Sequence, residues 1–334
     1  MPDNHDSVTG TRAPEILRCN APFWRSCLIV IIFGPVAAFA PPGDNVIPSA
    51  DGSEDLNVSP GLPTFESGYC EAEDDAQKPY VKIGSGPVAM LVVPGAADGL
   101  RTCAEVALYL AWFYRERAQR CGILILSRRQ PLPAGFGVGG HAEDMIRTVD
   151  ELGFGPAVWE CLSAAGPIGQ LVALKRPDLM RGLILSSSYD HVGPKTRRAL
   201  TQWLNIAQHA GGIEAFSSMI EQKYRPPAEV LAQLDPSQIP PANSSGDCER
   251  LTRVLEELLD LDQRELLSGI QCPTLVIGGE DDKAVPAELQ RAMAARIPNA
   301  RLQLCPGFGH FNDMENPNYQ EAVEEFAHAV MGRA

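Results

Sequence analysis

Residues 157–177, AVWECLSAAGPIGQLVALKRP, decide how the rest of the chain is interpreted. The apolar run 157–162 predicts a buried strand, although Glu160 interrupts it. After this run, apolar residues recur at the spacing of a helix that packs against a sheet, at Ile168, Leu171 and Val172. Pro167 suits the first turn of such a helix, where backbone N–H groups lack partners. Ser163 therefore lies on a strand-to-helix turn.

The position of Ser163 on this turn exposes its hydroxyl beside backbone hydrogen-bond donors. Its hydroxyl projects above the sheet, and the first N–H groups of the helix point at an oxyanion formed beside it. Residues 161–170 (CLSAAGPIGQ) resemble the nucleophile elbow of the α/β-hydrolase family, which reads G-x-S-x-G and is often followed by residues like GPIAQ. Cys161 and Ala165 replace the two glycines, and the larger Cys161 predicts a less tight turn. The alternative for Ser163 is an ordinary helix N-cap.

Short apolar runs alternate with helical patterns along most of the chain. We predict strands at 78–83, 88–93, 122–127, 182–186, 274–278 and 301–305. We predict helices at 100–118, 142–152, before Arg296 and at 318–330. This alternation favours a mainly parallel sheet with helices on both faces, which is the α/β-hydrolase fold that the resemblance implies. Ligands of such sheets bind at the carboxyl ends of the strands.

Residues 189–269 interrupt the alternation with helical patterns at 197–209, 213–223 and 248–267, joined by Pro-rich loops. In the resembling family a helical cap occupies this position and largely sets substrate choice. We therefore expect three parts: an N-terminal extension (1–77), a core (78–188 and 270–334) and a helical cap (189–269).

Two further loops resemble family motifs. The family places its acid in G-x-x-D-x-x-x-P and its base in G-x-G-H, and GEDDKAVP (279–286) and GFGH (307–310) match them. The resemblance implies a triad of Ser163, Asp282 and His310, in the family's chain order. The imidazole of His310 would take the proton of Ser163, and Asp282 would orient that imidazole. Asp281, by register, and Asp190, just past another strand, remain alternatives for the acid.

An oxyanion needs two backbone donors. We expect them to be the N–H groups of Ala164 and of Ala96, in the loop VPGAAD (93–98). Pro94 stands where the family usually has histidine. The contacts that support this loop must therefore differ from the family's.

Four other polar residues lie outside these motifs. Arg128 and Arg129 follow a strand and could hold a substrate carboxylate, although internal ion pairs are the stronger expectation. Glu160 in the central strand requires a partner because an unpaired buried carboxylate is costly. We expect His141, at the start of a helix, to be solvated.

Composition limits the classes of molecule that the protein can bind. The formal charge of −14 argues against nucleic acid and anionic membrane surfaces. The nine cysteines form no C-x-x-C pair and no zinc spacing, and four lie in or beside apolar runs, where we expect core packing: Cys121, Cys161, Cys272 and Cys305. With no metal motif and no Gly-rich phosphate loop, we expect no cofactor and a small-molecule substrate.

The N-terminal extension contains an uncharged apolar run, 27–40, after a segment with three arginines. The run is shorter than the about 20 residues of a membrane span and resembles a signal peptide. The composition of residues 41–78, rich in Pro, Gly, Ser and acidic residues, predicts a disordered linker. We expect a cytoplasmic protein, with export or membrane association through 27–40 as the alternative.

The resemblance implies a serine hydrolase that cleaves a small ester, lactone, thioester or amide through an acyl-enzyme. The alternative is a catalytically silent protein of the same fold that binds a ligand or partner. The altered elbow and Pro94 support that alternative, whereas the complete set of Ser163, Asp282 and His310 opposes it.

Overall fold

The computed structural model describes residues 61–209, 228, 232 and 248–332. The strands are β1 (Phe65–Glu71), β2 (Gln77–Val93), β3 (Cys121–Leu126), β4 (Ala157–Leu162), β5 (Met180–Ser186), β6 (Thr274–Gly279) and β7 (Ala300–Cys305). The helices are α1 (Ala107–Phe113), α2 (Gly137–Leu152), α3 (Gly166–Lys175), α4 (Pro194–Gln208), α5 (Cys248–Leu258), α6 (Ala287–Arg296), α7 (Asn312–Glu315) and α8 (Tyr319–Met331). None of the helices within these described ranges is long and apolar enough to span a bilayer.

One sheet carries all of these strands, in the order β1-β2-β4-β5-β6-β7 with β3 also on β2. The pairs from β2–β4 to β6–β7 are parallel, which confirms the predicted mainly parallel sheet. Side chains of β4 alternate between two buried layers: Trp159 and Cys161 pack in the layer that contains α2 and α3, and Val158 in the layer that contains α8. Helices therefore cover both faces of β4, and the carboxyl end of β4 leads directly into the turn at Ser163.

The range of β2 contains a reversal of chain direction at 84–87, so it comprises the two strands and the turn that the sequence predicted. In its first half, Tyr80 lies opposite Leu126 and Ile83 opposite Ile123, an antiparallel register. In its second half, the residue numbers of both partners rise together, from Ala89 opposite Gly122 onward, which is a parallel register. Each half therefore pairs with one edge of β3, and the second half presents residues 94–98 beside the elbow.

The predicted start of the core is wrong. β1 lies within the predicted linker and pairs antiparallel with β2 along its whole length. Its polar composition conceals it, because an outer strand of a sheet needs backbone partners more than apolar side chains. The core therefore begins before residue 78, and a shortened chain should keep β1. The apolar run 27–40 lies outside the described residues.

The predicted helix at 100–118 is also wrong, because only Ala107–Phe113 is α-helical. The N–H and hydroxyl of Thr102 both donate to the Glu105 carboxylate, at 2.6 and 2.9 Å, and the N–H of Cys103 donates to Ser127 Oγ. The N–H of Glu105 donates back to Thr102 Oγ1 at 3.3 Å, which completes a capping box, so helical structure begins after Thr102 and not at residue 100.

Helices α4 and α5 lie in the predicted cap and pack against each other. α5 ends at Leu258, nine residues short of the predicted end. It also packs on α2 and on the 3₁₀ turn Ala96–Gly99. The predicted helix at 213–223 lies outside the described residues, and the division into core and cap stays a prediction.

Candidate active site

The three predicted triad residues meet at the carboxyl edge of the sheet. Ser163 Oγ lies 2.9 Å from His310 Nε2, and His310 Nδ1 lies 2.8 Å from Asp282 Oδ2. Ser163 follows β4, Asp282 follows β6 and His310 follows β7. These distances are those of a serine that can pass its proton to an imidazole held by a carboxylate.

Ser163 has a strained backbone, with φ of 47°. The residue before it is extended and a 3₁₀ turn, Ser163–Ala165, follows before α3. A left-handed conformation costs a non-glycine residue roughly 1–2 kcal/mol, so the surrounding structure must hold it. One such contact is the Ser188 hydroxyl, which donates to the Ser163 carbonyl at 2.7 Å.

Cys161, the larger residue in the first glycine position, fits because α3 has a glycine opposite it. A Cβ placed on Gly169 would lie 2.4 Å from Cys161 Sγ. Cys161 is completely buried, and burial raises the pKa of its thiol, so it is a packing residue. The expectation that Cys161 loosens the turn overlooked this space on α3.

Asp282 is the only one of the three acid candidates that contacts His310. Its other oxygen, Oδ1, accepts the N–H groups of Ala284 and Val285, both at 2.8 Å. Asp281 is exposed. Asp190 is buried but is engaged by Arg296 at 3.0 Å and by His191 at 2.7 Å.

The pKa of His310 is raised above its ordinary value. Burial by itself would lower it, but the charge of Asp282 and its hydrogen bond outweigh that effect. The rings of Trp203, on α4, and Phe311 flank the imidazole, with centroids at 5.5 and 5.7 Å. The site therefore combines a more basic imidazole with an apolar enclosure.

A cavity of about 140 Å³ opens beside Ser163 and His310. Most of the side chains that line it are apolar or aromatic: Leu100, Val106, Tyr109, Leu110, Leu162, Trp203, Phe311 and Met314. Asp313 also lines it, and burial followed by the charge of Glu160 raises its pKa to about 6. Ser187, with φ of 45°, contributes a buried hydroxyl that has no hydrogen-bond partner among the described residues.

The two predicted oxyanion donors lie on loops that approach each other. Ala96 lines the cavity, and Ala164 is buried in the elbow. A Cβ placed on Gly95, the residue before Ala96, would lie 3.4 Å from the Cβ of Ser163. The loop at Gly95 and Ser163 are therefore separated by little more than the width of one methyl group, which brings both expected donors to the same end of the cavity.

Arg128 and Arg129 form internal ion pairs, which is the role that the sequence favoured over the binding of a substrate carboxylate. Arg129 Nε lies 2.6 Å from Asp144, and its Nη1 lies 2.5 Å from Asp74. Arg128 pairs with buried Asp98 at 3.4 Å and donates to the carbonyls of two loops at the site. Sequence analysis missed this bridging position, since nothing in the pattern links residue 128 to residues 95 and 164.

Glu160 has two buried partners. Arg117 Nη1 pairs with one of its oxygens, and the Tyr319 hydroxyl donates to the other at 2.8 Å. All three side chains are almost completely buried. Arg117 thus neutralises the charge of Glu160, on the face of the sheet that α8 covers.

The expectation for His141 is wrong. His141 lies in the second turn of α2, buried, with Nε2 at 2.9 Å from the Glu257 carboxylate of α5. Burial lowers its pKa despite that carboxylate, which keeps the imidazole neutral at pH 7. Helix α5 covers a position that local sequence would leave in solvent.

The expected core cysteines Cys121, Cys161 and Cys305 are buried, and Cys272 is half-buried. All seven cysteines of the described residues are free thiols. No group of three or more His, Cys, Asp or Glu side chains in the described ranges could hold a metal ion.

Known proteins resemble this chain in sequence and in fold. The chain is similar to "Putative carbamate hydrolase RutD" of Klebsiella pneumoniae, 29% identical over 184 residues, which are 54% of this chain and 68% of that protein. It is 28% identical over 177 residues to the protein of the same name from Caulobacter, covering 52% of this chain and 65% of the relative.

Solved structures share the fold at low identity. A hydrolase from Pseudomonas aeruginosa matches with a TM-score of 0.58 and 21% identity, covering 80% of this chain and 98% of that one. A thermophilic esterase from Thermogutta terrifontis matches with a TM-score of 0.58 and 22% identity, covering 79% and 98%. Est816, described as an N-acyl homoserine lactone degrading enzyme, matches with a TM-score of 0.57 and 21% identity, covering 78% and 100%.

The family model described as alpha/beta hydrolase fold matches residues 126–317, more than half of the chain. This segment contains β4, the elbow and the loops of Asp282 and His310. The protein therefore belongs to the α/β-hydrolase fold family and is a hydrolase enzyme.

Proposed function

We propose that the protein is a serine hydrolase that cleaves a small ester, lactone, thioester or amide through an acyl-enzyme intermediate. Ser163 is the nucleophile, His310 the general base and Asp282 the residue that orients His310. The observation that carries the proposal is the unbroken chain of hydrogen-bond distances, 2.9 Å from Ser163 to His310 and 2.8 Å from His310 to Asp282.

The reaction follows from the placement of these atoms. As Ser163 Oγ attacks the substrate carbonyl carbon, its proton passes to His310 Nε2 and the carbonyl oxygen becomes an oxyanion. The N–H groups of Ala96 and Ala164 stabilise that oxyanion. His310 then gives the proton to the leaving group as its bond to carbon breaks. Water, with His310 again as base, releases the acyl group from Ser163.

The cavity favours small acyl groups. Its volume of about 140 Å³ is below the roughly 300–1,000 Å³ of pockets that hold drug-sized ligands. Its mostly apolar lining offers little to a highly polar acyl chain. The carbamate hydrolase name of the relatives adds short carbamates to the substrates worth testing.

Labelling of the full-length protein by a fluorophosphonate, followed by intact mass, tests the nucleophile. We expect one adduct, which Ser163→Ala abolishes and Ser187→Ala retains. Ser187 is a matched control because it is a second left-handed serine in the same cavity. Hydrolysis of p-nitrophenyl acetate, butyrate and decanoate, with a phenyl carbamate beside them, then ranks acyl size, and the shortest esters should give the largest kcat/KM.

Absence of an adduct in protein shown to be folded would overturn the proposal and favour the silent ligand-binding alternative. An adduct that persists in Ser163→Ala would place the nucleophile elsewhere. Fastest turnover of the decanoate would contradict the argument from cavity volume while leaving the triad intact.

A further inference from the structure

The two expected oxyanion donors belong to peptide units whose carbonyls are held by buried side chains. The N–H of Ala96 shares its peptide unit with the carbonyl of Gly95, which accepts from Arg128 Nη1 at 3.0 Å. The N–H of Ala164 shares its unit with the carbonyl of Ser163, which accepts from Ser188 Oγ at 2.7 Å. In a trans peptide the N–H and the carbonyl point in opposite directions. A donor on the carbonyl therefore fixes where the N–H points.

Resting on the serine hydrolase mechanism above, we propose that Arg128 and Ser188 are positioning residues for the oxyanion-binding peptides. Each holds one peptide plane from the side opposite the cavity, so that its N–H is aimed before substrate arrives. A hydrogen bond to the carbonyl also polarises the peptide, which strengthens its N–H as a donor. Neither side chain has to touch the substrate to act in this way.

Arg128 links the two loops through one guanidinium. Its Nη1 also reaches the Pro94 carbonyl at 3.2 Å, and its Nη2 reaches the Ala164 carbonyl at 3.2 Å. The planar fork of arginine suits this task because its donors are fixed relative to each other. Asp98 neutralises the buried charge at 3.4 Å and accepts the backbone N–H of Arg128 at 2.8 Å. Arg128 thus supplies support for the loop in which Pro94 replaces the family's usual histidine.

Ser188 reaches the elbow because Gly166 leaves room for it. A Cβ placed on Gly166 would lie 1.7 Å from Ser188 Oγ. Gly166 has an ordinary helical backbone, with φ of −54°, so space and not conformation requires glycine here. Ser188 is completely buried, and its contact with the Ser163 carbonyl also supports the strained nucleophile.

Two variants test the proposal in the full-length protein. Arg128→Lys keeps a positive charge beside Asp98, but a single ammonium on a flexible chain cannot reproduce the fork across both loops. Ser188→Ala removes only the hydroxyl. Arg129→Lys is the matched control, since Arg129 is a buried, ion-paired neighbour that bonds to Asp144 and Asp74 and not to the site loops.

The readouts separate positioning from general damage. For each variant, kcat and KM on p-nitrophenyl acetate, the pH–rate profile, the Tm and the inhibition constant of a trifluoromethyl ketone are measured. In that inhibitor Ser163 Oγ bonds to the ketone carbon, its proton goes to His310, and the ketone oxygen becomes an oxyanion like that of the intermediate.

Deleting one oxyanion donor costs about 10²–10³ in kcat, so misaiming one should cost roughly 10- to 100-fold. We expect that loss in Arg128→Lys and in Ser188→Ala, with KM nearly unchanged, the same fold weakening of the ketone and an unmoved acid limb of the pH profile. Arg129→Lys should retain kcat whatever its Tm.

Wild-type kcat in both variants, or an equal loss in Arg129→Lys, would overturn the positioning role. A loss of kcat without weakening of the ketone would also overturn it. A wild-type protein that neither takes up fluorophosphonate nor turns over esters would instead refute the serine hydrolase mechanism itself, so the two failures are distinguishable. Should Arg128→Lys fail to fold, Ser188→Ala alone decides.

Discussion

Replacing Gly169 by alanine should destabilise the protein mainly through its shortest new contact, the one with the sulfur of Cys161. The new Cβ would lie 2.4 Å from Cys161 Sγ, 3.1 Å from Leu183 Cδ1 and 3.2 Å from Cys161 Cβ. Cys161 and Leu183 are completely buried and both belong to central strands, so they have little freedom to move. Overpacking of this kind costs about 1–3 kcal/mol. Alanine regains up to about 1 kcal/mol of helix propensity. The net loss should be about 0–2 kcal/mol.

A double-mutant cycle isolates the contact from the propensity. Gly169→Ala, Cys161→Ala and the double variant are unfolded in urea, and the free energy of unfolding is compared for each. Without the sulfur the 2.4 Å overlap disappears, and the remaining contacts at 3.1 and 3.2 Å need shifts of only a few tenths of an ångström. Gly169→Ala should therefore become neutral or stabilising in the Cys161→Ala background. The expected coupling is about 1–3 kcal/mol, the overpacking term alone.

Turnover should follow the same logic, because Cys161 precedes the nucleophile by two residues. Gly169→Ala should lower kcat on a short ester, and Cys161→Ala in the same chain should restore most of it. An equal destabilisation by Gly169→Ala in both backgrounds would refute the reasoning, since it would mean that the methyl group meets something other than the sulfur.

Three further predictions follow from the site and its supports. The kcat/KM should rise with pH through a pKa above 6.5, because only neutral His310 can accept the proton of Ser163. Asp282 raises the pKa of His310 above its ordinary value. An acid limb below pH 6.5 in the pH–rate profile would contradict this prediction. Asp282→Asn should lower kcat by about 10⁴-fold and shift the acid limb of the remaining activity to lower pH. Asp190→Asn, which breaks contacts with Arg296 and His191, should mainly lower the Tm. Arg117→Met should cost about 3–5 kcal/mol in urea unfolding because it leaves Glu160 charged and unpaired in the core, and adding Glu160→Leu should recover most of that loss; no recovery would mean that Arg117 acts through packing.

The parts of this fold that sequence analysis could predict are those encoded by short, local patterns. The apolar run at β4, the helical spacing after it and the glycine-flanked loops around Asp282 and His310 each occupy fewer than about 15 residues, a window in which periodicity is informative. The elements it missed depend on partners elsewhere. β1 is defined by its pairing with β2, and the N–H of Cys103, which precedes α1, is satisfied by Ser127, 24 residues away.

The same distinction explains the errors at the site. His141 is buried because α5 returns over α2 more than a hundred residues later and brings Glu257 to it. Nothing near His141 in the sequence contains that information. Arg128 likewise meets Gly95 and Ala164 from separations of 33 and 36 residues. Buried polar networks of this kind are the least predictable features of a fold, because each member is satisfied only in the assembled structure.

These long-range contacts bear on the choice between an active and a silent protein. Two of the three departures from the family pattern, Cys161 and Pro94, supported the silent alternative when each was viewed in its own loop. In the structure each of these residues has a partner that accommodates it. Gly169 has no side chain, which leaves the space that the Cys161 sulfur fills, and Arg128 donates a hydrogen bond to the Pro94 carbonyl. A site that decayed at random would accumulate substitutions without matching changes opposite them. These two partner residues show that neither departure leaves its loop without support, and the coupling between Cys161 and Gly169 measures directly whether one of them is real.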